Sequence, residues 1–311
     1  MKVLVYGAGV LGSYLAHALI RGGNDVSVLA RGGRAEELEK DGLVIRHYVQ
    51  RKTTVDPVRV IRSLEADDLY DLIFVVMKYT DFREVLPILA GNRSSNIVLV
   101  GNNAEARDMQ NELLERSDAE KHVAFGFQLS GGRRETGRMV CVRGGGGQMV
   151  LGSLDGPISF QVLLDQAFAK AKYKLAYHNE MDAWLKNHIV PIMALNYVTQ
   201  IHKGRMKEVA RDGKLLSHAV TAMDEGFRVL EALGYPLIPA GQASFIRKHK
   251  QLVRLFLKIY HLLPVSRMID GNFSEVEALA RRFNEWKQRA KVPTPHWDEL
   301  ERQLRAKKAG E

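Results

Sequence analysis

The chain has 311 residues, 46% of them hydrophobic and 26% charged. Those values exclude a disordered or collagen-like chain and leave room for two domains of roughly 150 residues each. Lys and Arg number 45 against 36 Asp and Glu, a formal net charge of +9, which suits an anionic ligand and does not bear on the fold. One cysteine, Cys141, excludes an intramolecular disulfide and a cysteine-rich metal site and points to a reducing cytoplasm.

Lys2–Tyr6 is a short apolar run, followed by Gly7, Gly9 and Gly12 and then a helical pattern to Leu19. Lys2, the apolar stretch and Ala16-His17-Ala18 have the outward form of a secretion signal, but the glycine spacing has a better explanation, given below. Further strands are expected at Asp25–Leu29, Asp71–Met77 and Asn96–Val100. These runs are apolar throughout rather than alternating, as in parallel strands covered on both faces. With helical segments between them, the first hundred residues read as an α/β, Rossmann-type doubly wound sheet.

From Phe125 to Gly152 the strand-like pieces HVAFGF, RMVCV and QMVLGS read as an antiparallel extension of that sheet, with Gly144–Gly147 as a mobile hairpin loop. Cys141, within RMVCV, reads as a small buried hydrophobe. Beyond Ile158 the chain reads as mostly α-helical, with one strand candidate, KLAYH, near residue 176. Long amphipathic stretches cover Glu180–Val198, Leu215–Leu233, Gln242–Leu263 and Glu275–Ala290. The domain boundary is expected near Gly156–Pro157. Histidines are scattered without ligand spacing, so no metal site is expected.

The stretch between Glu231 and Asp270 contains no acid, while Arg247, Lys248, Lys250, Arg254, Lys258 and Arg267 fall within it. Leu252, Leu255, Phe256, Ile259 and Leu263 mark one apolar face there. The plain reading is a core-facing helix with a basic solvated back. Electrostatic attraction of an anionic cofactor and substrate is the functional one. Known nucleic-acid and membrane-surface motifs are missing.

Gly7-Ala8-Gly9-Val10-Leu11-Gly12 is GxGxxG between an expected strand and an expected helix. Gly7 allows the tight turn, Gly9 lets backbone amides approach a pyrophosphate, and Gly12 lets the helix pack close to the strand. A dinucleotide site is expected. About 20 positions on, where an NAD protein carries an acid for the ribose 2′-hydroxyl, this chain reads Val28-Leu29-Ala30-Arg31, with Arg34 near. A guanidinium there pairs with a 2′-phosphate, which favours NADP(H) over NAD. The alternative is that Arg31 is a solvated loop cation.

GAGVLG, LARGGRAEELEKDGLVI, DLIFVVMKYTDFREVLPIL, IVLVGNNAE and VPTPHWDEL occur in that order along nearly the whole chain. Together they resemble the ketopantoate reductase (2-dehydropantoate 2-reductase) family. The resemblance implies an NADP-binding Rossmann-like domain over residues 1–157, a helical substrate and catalytic domain over 158–311, and an active cleft between them. It implies reduction of a small 2-oxo acid by NADPH, first of all 2-dehydropantoate to pantoate in pantothenate biosynthesis. It also implies a cytoplasmic protein, compatible with a homodimer, that engages neither nucleic acid nor membrane.

By the same resemblance Lys78 lies near cofactor or substrate, Asn102 is an orienting amide and part of the cofactor site, and Glu275 accepts from a substrate hydroxyl. Counting back from Pro191-Ile192-Met193-Ala194-Leu195, the family's catalytic lysine position falls on Asp182 and its asparagine position on Lys186. Residues i and i+4 share a helix face. Either Lys186 reaches the same cleft as proton donor, paired to Asp182, or the chemistry is altered. His188 is a second candidate donor. Lys186 as a surface lysine, and Glu275 as a helix acid paired with Arg281 or Arg282, are the plain readings. A relative reducing a different carbonyl, and an NADP(H)-binding sensor without turnover, remain the rival functions.

Overall fold

The structure is a computed structural model and describes residues 1–269 and 273–309. The chain divides into two compact units, Met1–Met181 and Asp182–Glu311. In the first unit the elements run β1 (Lys2–Tyr6), α1 (Val10–Arg21), β2 (Asp25–Leu29), α2 (Gly32–Asp41), β3 (Leu43–His47), β4 (Lys52–Asp56), β5 (Arg59–Ile61) and β6 (Leu72–Val76). Then come α3 (Phe82–Gly91), β7 (Asn96–Val100), α4 (Ala106–Glu115), β8 (His122–Gln128), β9 (Ser130–Glu135), β10 (Arg138–Arg143), β11 (Gln148–Gly152), α5 (Gln161–Phe168) and β12 (Lys174–Tyr177).

Eight of these strands form one sheet in the order β12-β11-β8-β7-β6-β1-β2-β5. Every pair is parallel except β11 with β8. The centre follows from the apolar runs: every residue of β6 is buried, and every residue but the first in β1, β2 and β7. A strand buried on both faces cannot alternate, and burial of each such Val, Leu or Ile contributes about 1.5–3 kcal/mol. The first hundred residues thus give the expected parallel sheet.

The next fifty depart from expectation. HVAFGF (β8) pairs parallel with β7 rather than antiparallel, and RMVCV (β10) leaves the sheet altogether. It joins β4, β3 and β9 in a second, four-stranded sheet of order β4-β3-β10-β9. Gly144–Gly147 therefore crosses between sheets and is not a hairpin loop. It is also closely packed: a Cβ on Gly146 would lie 2.1 Å from the Lys172 carbonyl oxygen, and one on Gly147 2.7 Å from the Tyr14 ring. Tyr14 donates its hydroxyl to the Gly146 carbonyl and Arg143 donates to that of Gly145. Cys141 is fully buried, and burial pushes its thiol up to about 12, so it behaves as a small hydrophobe.

Helix α1 packs on this second sheet through an ion cluster centred on the buried Asp56. Asp56 accepts from Arg21 at 2.5 Å and lies 2.6 Å from His17 Nδ1. The His17 ring sits 5.0 Å from that of fully buried His47. The unit boundary falls later than expected. Strand β12 pairs with β11 in the main sheet, so residues 158–181 belong with the first unit rather than with the helices.

The second unit is helical: α6 (Met181–Ile201), α7 (Met206–Arg211), α8 (Gly213–Ala232), α9 (Ala240–Lys248), α10 (Lys250–Leu262), α11 (Phe273–Ala290) and α12 (Pro295–Ala309). The expected single helix over Gln242–Leu263 is broken at His249, whose backbone (φ −124°, ψ 44°) is not helical. Helix α8 is the axis of this unit, and α10, α11 and α12 all pack on it. Its buried Glu225 accepts from the backbone N–H groups of His296 at 3.2 Å and Trp297 at 2.9 Å. Those amides open α12, where no intrahelical acceptor exists for them. Pro295 begins the helix, the position where its missing N–H costs nothing.

Candidate functional site

The glycine turn joins β1 to α1 as the motif requires. Gly7 has φ +119°, and a Cβ there would lie 2.3 Å from the Val76 carbonyl oxygen. A Cβ on Gly12 would lie 1.9 Å from the Gly7 carbonyl oxygen, so only glycine lets α1 approach β1 and β6. Gly9 differs: a Cβ there meets no atom within 4 Å. Gly9 is the N-cap of α1, no side chain caps the helix, and its first turn holds no acid. Ala8, Val10 and Leu11 complete the turn; the Gly7 N–H donates to the Leu29 carbonyl at 3.3 Å, while the first-turn amides of α1 have no intrahelical acceptor and, with the positive helix end, suit a pyrophosphate. The open space at Gly9 fits that group.

The other expected cofactor residues sit at neighbouring strand ends. Tyr6 of β1 is in register with Leu29 of β2 and Val75 of β6, and Val76 of β6 with Val100 of β7. Arg31, Lys78 and Asn102 follow β2, β6 and β7 by two residues each. They therefore line the same carboxyl edge as the glycine turn, where chain connections from β1 depart in opposite directions. A Cβ on Gly101 would lie 2.5 Å from the Met77 carbonyl oxygen, which brings the Lys78 and Asn102 segments side by side. Lys78 is exposed and Asn102 half-buried. The adjacent Asn103 is buried and accepts from the Glu105 N–H at 2.9 Å, so it serves the loop itself.

Arg31 donates to the Tyr6 hydroxyl at 3.0 Å, which ties it to the end of β1 while it stays exposed. Arg34 does more than lie near. It donates to the Ala8 carbonyl at 3.2 Å, to Ser13 Oγ at 3.1 Å and to Glu37 at 3.1 Å. Its guanidinium clamps the glycine turn onto α1. Glu37 accepts in turn from Arg134 of β9 at 2.7 Å. The Arg134 bond, with that from Arg34, holds the Glu37 carboxyl below the usual range. Nothing in sequence spacing ties β9 to this turn, so Arg134 and Glu37 were not legible beforehand.

In the second unit Asp182 lies in the first turn of α6, and the Lys186 ammonium is bonded to its carboxylate one turn on. Lys186 is 5% exposed, which removes the surface-lysine reading. Its ammonium lies 4.7 Å from the centre of the Tyr235 ring and 5.8 Å from that of Trp286. Aromatic faces attract a cation that burial has stripped of water. Asn187 is committed to the backbone, donating to the carbonyls of Ala183 at 2.8 Å and Pro236 at 2.9 Å. His188 stacks on Trp184 at 5.0 Å, and burial pushes it down to about 4. It is neutral near pH 7 and poorly suited to donate a proton. Glu275 is half-buried in the first turn of α11, about 16 Å of helix rise from Trp286. Arg282 is bonded to Glu285 at 2.7 Å.

Among the described residues no group of three or more His, Cys, Asp or Glu side chains is gathered as a metal site. Among the same residues no helix is long and apolar enough to cross a membrane.

Comparison with known proteins agrees with this geometry. Residues 3–156 match the family described as ketopantoate reductase PanE/ApbA. The uncharacterized oxidoreductase YkpB of Bacillus subtilis (strain 168) is 36% identical over 86 residues, 28% of this chain and 27% of that one. The chain thus spans little more than a quarter of that relative. A 2-dehydropantoate 2-reductase of Archaeoglobus fulgidus is 25% identical over 248 residues, 79% of each chain. Among solved structures, a PanE/ApbA family ketopantoate reductase from Ralstonia eutropha JMP134 has a TM-score of 0.77 at 21% identity and covers 98% of each chain. D-mandelate dehydrogenase, solved with NADH and anilino(oxo)acetate, has a TM-score of 0.75 at 16% identity, covering 100% of this chain and 99% of its own. These two likenesses establish the fold.

Proposed function

The chain belongs, through residues 3–156, to the ketopantoate reductase PanE/ApbA family, and from that membership we propose that it is an NADPH-dependent reductase of a small 2-oxo acid, 2-dehydropantoate first. The observation that carries the reading is the single strand edge shared by the glycine turn, Arg31, Lys78 and Asn102. The first unit serves as the dinucleotide domain and the second supplies the proton-donating chemistry.

The amides of the turn from Gly9 onward hold the pyrophosphate, the Gly7 N–H being donated to the Leu29 carbonyl, and Arg31 pairs with the ribose 2′-phosphate. Bound NADPH supplies the hydride. Lys78 lies near cofactor or substrate, and Asn102 orients the reacting carbonyl by hydrogen bonding. Negative charge develops on the carbonyl oxygen, so a positioned cation stabilises it and then protonates it. Lys186 performs both tasks from its ammonium, and Asp182 holds that ammonium in place. Glu275 accepts from a substrate hydroxyl and so selects hydroxylated 2-oxo acids.

One observation favours a second reading within the family, a bulkier carbonyl substrate. Lys186 is walled by two aromatic rings, and Asp182 occupies the place the family resemblance gives to lysine. The likeness to D-mandelate dehydrogenase, whose solved complex holds an aryl oxo acid analogue, is in keeping with it. A panel of 2-oxo acids, aliphatic and aromatic, followed by loss of NADPH absorbance, tests both. Preference for 2-dehydropantoate supports the first reading and preference for an aryl 2-oxo acid the second. Tight NADPH binding with no turnover on any member would instead support a sensor.

A further inference from the structure

Lys78 and Asn102 belong to two loops that leave neighbouring parallel strands, β6 and β7. The β6–β7 pairing ends at Val76 and Val100, so the ladder does not itself fix a residue two positions farther on. Each of the two is bracketed instead by anchored neighbours. On the near side a Cβ on Gly101 would lie 2.5 Å from the Met77 carbonyl oxygen and 3.3 Å from the Phe82 ring. The Gly101 N–H donates to the Gly126 carbonyl at 3.0 Å. On the far side the buried Tyr79 donates its hydroxyl to the Glu105 carboxylate. Tyr79 opens a short turn whose Asp81 N–H donates to the Lys78 carbonyl at 3.0 Å, which couples the Lys78 backbone to the Tyr79 anchor.

The Glu105 carboxylate joins three segments. One oxygen takes the Tyr79 hydroxyl and the other accepts from Arg83 of α3 at 2.9 Å. Glu105 is the N-cap of α4, and its N–H donates to Asn103 Oδ1 at 2.9 Å. Arg83 is braced in turn by Glu112 at 2.6 Å. The Glu105 side chain is only 9% exposed. Burying a carboxylate costs free energy that an apolar pair of the same shape would not. What the polar pair adds is direction, because a hydroxyl bonded to a carboxylate is held short and in one geometry.

We propose that Tyr79 and Glu105 are positioning residues: their bond fixes the Lys78 backbone beside Asn102, so that the exposed Lys78 ammonium is presented to the dinucleotide. The proposal rests on the reading that the dinucleotide occupies this strand edge. Tyr79 and Glu105 act through Lys78 rather than on the cofactor.

A double-mutant cycle on NADPH binding, read by fluorescence titration of the full chain, tests it. Lys78→Ala is expected to raise the NADPH dissociation constant about tenfold, the worth of one charge-assisted contact. Tyr79→Phe removes only the hydroxyl. It is expected to raise the constant about threefold or more in the parent and less than about twofold once Lys78 is replaced, because residues acting on one contact are not additive. Glu105→Gln keeps an oxygen for the Tyr79 hydroxyl, so it should stay closer to the parent than Glu105→Ala. A general loss of stability weakens binding alike in both backgrounds and is separated by the cycle. Equal losses from Tyr79→Phe with and without Lys78 would mean that the bond only supports the fold, and they overturn the proposal. So does a Tyr79→Phe protein that binds NADPH as the parent does, or a Lys78→Ala protein with unchanged binding. A parent that binds no NADPH overturns the functional reading together with this proposal, whereas normal parental binding with additive variants overturns this proposal alone.

Discussion

The Lys186 ammonium is bonded to the Asp182 carboxylate one helical turn before it, and both residues lie near the start of α6. That pair stands where the family resemblance expects a lysine followed by an asparagine. If Lys186 is the proton donor, Lys186→Ala lowers kcat by about a hundredfold or more and leaves the NADPH dissociation constant unchanged. Asp182→Asn keeps the ammonium but loosens its placement, so it is expected to lower kcat less. Steady-state kinetics with a fluorescence titration of NADPH separates these outcomes. Equal kcat for Lys186→Ala and parent removes Lys186 from the mechanism.

In the proposed reading, cofactor choice rests on the arginines beside the glycine turn. Arg31→Ala is expected to weaken NADPH binding by about tenfold or more, the worth of a charge-assisted bond to a phosphate, and to leave NADH binding nearly unchanged. Glu37 spans Arg34 and Arg134, so Glu37→Gln frees positive charge at the turn and is expected to tighten NADPH selectively. Parallel titrations with NADPH and NADH check both. An equal loss for the two cofactors in Arg31→Ala would show that Arg31 does not read the 2′-phosphate.

The glycines of the turn differ in what they tolerate. Gly12→Ala forces a Cβ to within 1.9 Å of backbone, so thermal stability and NADPH affinity should fall together. Gly9→Ala meets no protein atom within 4 Å. It should leave the thermal midpoint alone while weakening NADPH binding, because the methyl enters the space assigned to the pyrophosphate. A Gly9→Ala protein that binds NADPH normally would place the phosphates elsewhere.

The buried cluster under α1 makes stability depend on pH. Burial first, then the charges of His17, Arg143 and Lys52 against the opposing Asp56, holds His47 at about 4, below the usual 6.5. Burial also lowers His17. The folded value is the lower one, so above pH 6.5 this contribution is fully present. As pH falls from 6.5 toward 4 the unfolded chain binds a proton that the folded cluster refuses, and stability drops. The loss is up to about 3 kcal/mol for His47. Urea unfolding at pH 7.5 and pH 5 should show the decline, and His47→Gln should flatten it. A stability unchanged over that interval would contradict the account.

The parallel sheet and its glycine turn were legible because both follow from local rules. A strand buried on two faces must be apolar throughout, and a tight turn against a helix must be glycine. The Asp182–Lys186 pair was legible for the same reason, since four residues make one helical turn. What failed was long-range. Ser130–Glu135 lies between the strand-like pieces HVAFGF and RMVCV and was not expected as a strand, yet it is an edge strand whose ladder bonds go to β10. Its role beside the glycine turn depends on Gly132, where a Cβ would lie 2.7 Å from Val10. Tyr235, in the loop after α8, and Trp286 of α11 reach Lys186 from elsewhere in the chain, and no spacing announces them. In α10 the expected core face, Leu252, Leu255, Phe256 and Ile259, lies exposed, while Val253 and Leu257 are buried. Both faces are apolar, so periodicity alone could not say which one turns inward.

In the proposed reading the chain moves a hydride from NADPH to 2-dehydropantoate, and Lys186 completes the proton transfer. Single-turnover mixing of the parent–NADPH complex with 2-dehydropantoate, beside the same experiment with Lys186→Ala, tests it most directly. Rapid loss of NADPH absorbance with formation of pantoate is expected in the parent, and a rate at least about a hundredfold lower in the variant. No oxidation of NADPH by the parent, or equal rates in the two proteins, would contradict it.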